Sequence, residues 1–96
     1  MKTLVPTTIW KFVLDPANLT IYPPKGACFL SVGEQKGDIV IWAMINPKET
    51  KEENRTIEVF GTGQTIPPAE KRMFIGTVQM DSGLVFHVFE LIAKAN

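Results

Sequence analysis

The sequence predicts an all-β fold, a small antiparallel sandwich or partly open barrel of about seven strands. Three observations carry this expectation. Short apolar runs recur at a spacing of about ten residues. Gly, Pro, Asn and Asp cluster between them, where turns need preset or unusual backbone angles. No segment sustains the apolar period of a helix. With 96 residues, the chain has room for one domain spanning 1–96.

Residues 8–14 alternate, with Trp10, Phe12 and Leu14 on one face and Ile9, Lys11 and Val13 on the other. Asp15-Pro16-Ala17-Asn18 is turn chemistry. Residues 19–22 make a short second strand, closed by Pro23-Pro24-Lys25-Gly26, and residues 28–32 make a third. The Gly-containing polar stretch 33–38 is read as a hairpin loop. Residues 39–45 form a fourth strand, rich in β-branched and aromatic types. In 46–55, Asn46 suits an N-cap, Pro47 a first helical position and Glu49 a capping partner, so one short helical turn is expected in a solvated loop. Residues 56–60 resume the strand pattern, and residues 73–80 and 84–91 form a final hairpin about Asp81-Ser82-Gly83.

Two strands depart from simple alternation. Residues 39–45 are apolar at every position, and residues 84–91 are interrupted only by His87 and Glu90. A sheet with one solvated face turns polar on that face. These strands therefore either lie mid-sandwich under loops or are covered by a second copy, and a homo-oligomer is the expectation.

Composition excludes several classes. Ten basic and ten acidic side chains give zero net charge, so no basic field supports general nucleic-acid binding. An apolar fraction of 45% is too high for a disordered chain. No run approaches a membrane span, and Met1 to Thr8 lacks the apolar core of a secretory leader. Cys28 stands alone, so no intrachain disulfide forms and a cytoplasmic setting is expected. Without a leader, the glycosylation patterns at Asn18 and Asn54 carry no weight. One Cys and one His cannot fill a structural zinc site, and no metal or cofactor is expected.

Thr8-Ile9-Trp10-Lys11-Phe12, Pro24-Lys25-Gly26-Ala27, Ile41-Trp42-Ala43, Phe60-Gly61-Thr62-Gly63-Gln64, Phe74-Ile75-Gly76-Thr77-Val78-Gln79 and Val85-Phe86-His87-Val88-Phe89-Glu90 occur in this order. In these motifs the chain resembles a small uncharacterised phage and prophage family, over residues 9–90. In that family a His commonly follows the Gly-Thr-Gly, where this chain has Gln64. The resemblance implies a phage context, with an infected bacterial cytoplasm as the setting, and names no ligand or reaction.

Catalysis is not expected. A nucleophile–base pair would need His87 beside Cys28 or a hydroxyl, and the carboxylates are scattered. Binding is better supported. Gly61-Thr62-Gly63 places two glycines around a hydroxyl directly after a strand, where successive N–H groups can face an anion. A tight turn is the plainer reading of the same residues, and no Lys or helix follows as in a Walker loop. Trp10, Trp42 and Tyr22 offer stacking faces, and Lys11, Arg55, Lys71 and Arg72 offer charge. The expected ligand-binding set is Trp10, Lys11, Trp42, Gly61, Thr62, Gly63, Gln64 and His87. A ligand cavity of about 300–1,000 Å³ is hard to hollow from so short a chain, which places the expected site near an oligomer interface. The expected function is a phage-encoded protein that sequesters a nucleotide-like immune signal without turnover. The alternatives are a protein–protein interaction module that inhibits a host defence protein and a minor phage structural protein.

Overall fold

In the computed structural model, which describes residues 5–95, seven strands form two antiparallel sheets that do not close into a barrel. The strands are β1 (Thr8–Val13), β2 (Thr20–Ile21), β3 (Cys28–Gln35), β4 (Asp38–Ile45), β5 (Arg55–Gly61), β6 (Ala69–Gln79) and β7 (Val85–Lys94). One sheet has the order β1-β4-β3, the other β2-β5-β7-β6. Met1 to Leu4, part of the segment read for a leader, lie outside the described residues. No helix among the described residues is long and apolar enough to cross a membrane.

The two strands that break alternation are the central ones, β4 between β1 and β3, and β7 between β5 and β6. A central strand has neighbours on both sides, so its second face can be covered by their side chains without another layer. Inward, Ile41 and Val88 are fully buried with Leu14, Ile21, Ile57 and Val78. Outward, Val40 is still only 1% exposed. Above it, Lys11 Nζ reaches across β4 to donate to Gln35 Oε1 at 2.7 Å. Trp42 lies over Gly33, where an added Cβ would stand 2.7 Å from the indole. On the other sheet, Phe60 is 7% exposed beneath the Arg72 guanidinium, 5.5 Å from its ring centroid.

Two expectations about loops are corrected. The stretch 33–38 is not a loop: β3 continues to Gln35, and only Lys36 and Gly37 turn the chain. Both have positive φ, 53° and 85°, as a two-residue type I′ hairpin requires. Gly37→Ala is expected to cost about 1–2 kcal/mol, because an L side chain is strained at that angle; urea denaturation with an unchanged m-value measures it.

The helical turn expected in 46–55 does not form. Asn46 Oδ1 accepts the Lys48 N–H at 3.0 Å, and Asn46 O accepts the Glu49 N–H at 3.0 Å, giving a single side-chain-closed turn. Downstream backbone then pairs with another segment instead of continuing: Lys25 N–H donates to Lys51 O, and Glu53 N–H to Pro23 O.

An ion pair within the four-stranded sheet also ties it to the other sheet at this end. Arg55 on β5 binds Glu90 on β7 through Nε to Oε2 and through Nη2 to Oε1 at 2.8 Å. It also donates to Ala27 O at 2.9 Å and to Glu53 Oε1 at 3.2 Å, with its guanidinium over the Phe29 ring. The Glu90 hydrogen bond, then its charge, pushes the Arg55 pKa up against the opposing effect of burial.

Candidate functional site

The register of β5, β7 and β6 builds a polar cluster on the outer face of the four-stranded sheet. Phe60 faces His87 across β5–β7, and Thr77 faces His87 across β6–β7. Thr62 follows β5 directly and folds over the end of the row. Its Oγ1 lies 2.8 Å from His87 Nε2, while Thr77 Oγ1 lies 3.0 Å from Nδ1. The two Gly-Thr segments of the sequence thus converge on one imidazole. With the ring neutral, one hydroxyl donates to it and the other accepts from it.

The turn beneath Thr62 is closed from within. Gln64 N–H donates to Gly61 O at 3.0 Å, and Gln64 Oε1 accepts the Gly61 N–H at 3.0 Å. Gly63 supplies the positive φ, 87°, that this turn needs at its third position. The Gly61 and Gln64 N–H groups are therefore satisfied inside the turn and do not face an anion. The donors left to a ligand at this turn are the two central N–H groups, of Thr62 and Gly63, and side chains.

One row along the sheet stands an aromatic platform. Phe74 on β6 pairs with Phe89 on β7, ring centroids 5.2 Å apart, and Phe89 meets Phe60 edge-on at 6.0 Å. Phe74 is 56% exposed. Arg72 borders the platform, tied to Glu58 by Nε–Oε1 at 2.6 Å and Nη2–Oε2 at 3.3 Å. That hydrogen bond pushes the Arg72 pKa up, so the charge is permanent but already partnered.

Of the eight residues expected to bind ligand, the structure groups five here: Gly61, Thr62, Gly63, Gln64 and His87. Trp10, Lys11 and Trp42 lie on the other sheet. Trp42 and Lys11 share its outer face, directly opposite in register, whereas Trp10 points to the inward side with Phe12 and is 43% exposed at its rim. The two indoles therefore occupy opposite faces and form no common stacking cleft. Of the expected charge partners, Arg55 and Arg72 are held by carboxylates and Lys11 by Gln35; Lys71 is exposed, as is Tyr22. Cys28 is on the sheet opposite His87, so the two make no nucleophile–base pair. Among the described residues no group of three His, Cys, Asp or Glu side chains forms a metal-sized cluster.

Sequence reading missed Thr77, Phe74 and Phe89 as site members. Counting outward from the Asp81-Ser82-Gly83 hairpin pairs Gln79 with Val85 and Thr77 with His87, so the first was recoverable from register alone. It also missed an apolar cleft of about 320 Å³ within the single chain, lined by Leu14, Leu19, Ile39, Val59, Met80 and Phe86 among others. The cleft opens because β2 is two residues long and leaves the interior beside Val59 without a further wall. A cavity of this size therefore needs no second protomer.

A family model described as a domain of unknown function (DUF7352) matches residues 6–96. No curated protein and no solved structure matches the chain.

Proposed function

We propose, for a chain that belongs to the DUF7352 family, a binding role without turnover: a phage-borne protein that sequesters a small nucleotide-like signal in the cytoplasm of an infected cell. The observation that carries the reading is the convergence of Thr62 and Thr77 on His87, beside the exposed Phe74. The hydroxyl that accepts from the imidazole keeps its own O–H for a phosphate or hydroxyl oxygen, the ring fixes its orientation, and an aromatic face one row away suits a base. This division of labour matches the charge balance, since the ligand's anion is met by local donors and not by a field of cations.

The same pair invites a catalytic reading, because a hydroxyl lies within proton-transfer distance of a base. Two features favour binding. The partner of the second ring nitrogen is another neutral hydroxyl, which cannot stabilise an imidazolium as a carboxylate does. The Gly61 N–H is occupied by Gln64 and does not serve as an oxyanion donor beside the pair.

Sequestration without turnover requires a nanomolar complex, about −12 kcal/mol. Calorimetry against cyclic nucleotides and ADP-ribose derivatives is expected to yield one such ligand, recovered intact after heat release. His87→Ala is expected to weaken it by about a hundredfold, with Thr62→Val and Thr77→Val each about tenfold. Weak binding across the panel overturns the ligand class, and degraded ligand moves the protein to the enzymes.

A further inference from the structure

Strand edges differ sharply in how they are protected. β2 is two residues long, β6 carries three register shifts, and β3 carries one and packs against β6 at Val32. Beyond β2, the open edge of β5 is shut at Gly61, whose N–H and C=O are both taken by Gln64. Such shortening, bulging and capping are the means by which edges avoid pairing with other chains. β1 has none of them. Its six residues pair with β4 without a shift, contain no proline, and carry one charge, whose ammonium is drawn inward to Gln35.

The free edge has a defined polarity. Leu14 N–H donates to Ile39 O on β4, so the backbone groups of Phe12 and Trp10 also face β4. Those of Ile9, Lys11 and Val13 face outward, and among the described residues nothing bonds to them. Beside them Ile9 is 56% and Val13 51% exposed, and Met44 on β4 opposite Ile9 is 39% exposed.

We infer that β1 pairs antiparallel with β1 of a second copy about a two-fold axis at Lys11, joining two three-stranded sheets into one of six strands. The sequence of β1 is self-complementary in that register. Ile9 meets the partner's Val13 on the outer face, and Trp10 meets the partner's Phe12 on the inner face. The outward backbone groups at 9, 11 and 13 fall opposite one another, as a hydrogen-bonded ladder demands. The cost is Lys11 opposite the partner's Lys11, reduced because each ammonium is held away over its own β4. The inference is independent of the ligand reading: it predicts association with no small molecule present.

Sedimentation at micromolar concentration is expected to show a dimer. Val13→Pro removes only an outward N–H and leaves the β1–β4 ladder whole. By symmetry the loss occurs twice, so dissociation is expected to rise by about a hundredfold with the circular dichroism unchanged. A register test needs no proline. Ile9→Glu and Val13→Lys are each expected to weaken the dimer. The double variant I9E/V13K, which sets a carboxylate opposite an ammonium twice, is expected to restore it. A monomeric wild type, a dimer indifferent to Val13→Pro, or a double variant weaker than both singles overturns the inference.

Discussion

Glu90→Ala is expected to destabilise the fold by about 3–5 kcal/mol, read as a fall in the urea midpoint at constant m-value. Glu90 is the one buried charged residue among those described, 4% exposed at the inner face of β7. Its carboxylate meets both Nε and Nη2 of Arg55, whose side chain is 18% exposed. Removing the acid leaves a guanidinium in the interior against Phe29 with too little water to solvate it, and that penalty sets the size of the effect. Glu53 remains 3.2 Å from Nη1 and is itself 36% exposed, so the loss falls nearer the lower bound. Against a total stability of about 5–15 kcal/mol for a small domain, the change is decisive. The double variant R55M/E90L is expected to be more stable than E90A, since no charge is then stranded. It should not reach wild type, because Arg55 also holds Ala27 O, and through it the turn that leads into β3. If E90A and the double variant unfold together, the stranded-charge account fails.

Ile41→Ala is expected to cost about 2–5 kcal/mol by the same measurement. Ile41 is 0% exposed on the inward side of β4, among Leu14, Ile57 and Val88. The sheets meet tightly where β3 crosses β6: a Cβ on Gly76 would lie 3.0 Å from Val32 Cγ2. Backbones fixed by such contacts cannot collapse into the void that the three lost carbons leave. The other face of β4 grades the argument. Val40→Ala is expected to cost about 2 kcal/mol, because Val40 is covered by its own sheet neighbours and loses two buried carbons. Met44→Ala, at 39% exposure, should cost under about 1 kcal/mol. A near-zero result at Val40 would contradict the cover that its own sheet provides.

Much of this architecture was legible in the sequence. Positions 8–14 alternate as the strand does, and the uniformly apolar stretches 39–45 and 84–91 marked the strands that became central in each sheet. Their second faces read as an intermolecular surface; within the chain Lys11, Gln35 and Trp42 lie over that of β4, while His87, Phe89 and Leu91 on that of β7 are half-buried. The extension of β3 to Gln35 was hidden because its residues are polar or small for tertiary reasons. Gly33 makes room for Trp42, and Glu34 accepts the Asp81 N–H at 2.7 Å across the sheets. The expected helical start at Asn46 failed because capping residues also close isolated turns, and backbone pairing of 51–53 with 23–25 takes the groups a helix would use.

For the site, the sequence by itself determined the residue types: a glycine-flanked hydroxyl, a lone histidine within an apolar strand, and a chain too evenly charged to bind by a field. It also determined that β1 is an apolar alternating strand and that Glu90 would interrupt a buried one. Only the tertiary structure decided who meets whom. Thr62 reaches His87 across 25 positions, and Arg55 reaches Glu90 across 35, while Trp10 and Trp42 are driven to opposite faces of one sheet. The reason is physical. Local composition sets whether a segment extends, through side-chain fit to a pleated surface, but pairing partners are chosen by which arrangement buries the most apolar area with every backbone group bonded. That choice belongs to the whole chain, and at the uncovered edge of β1 we infer that it extends to a second one.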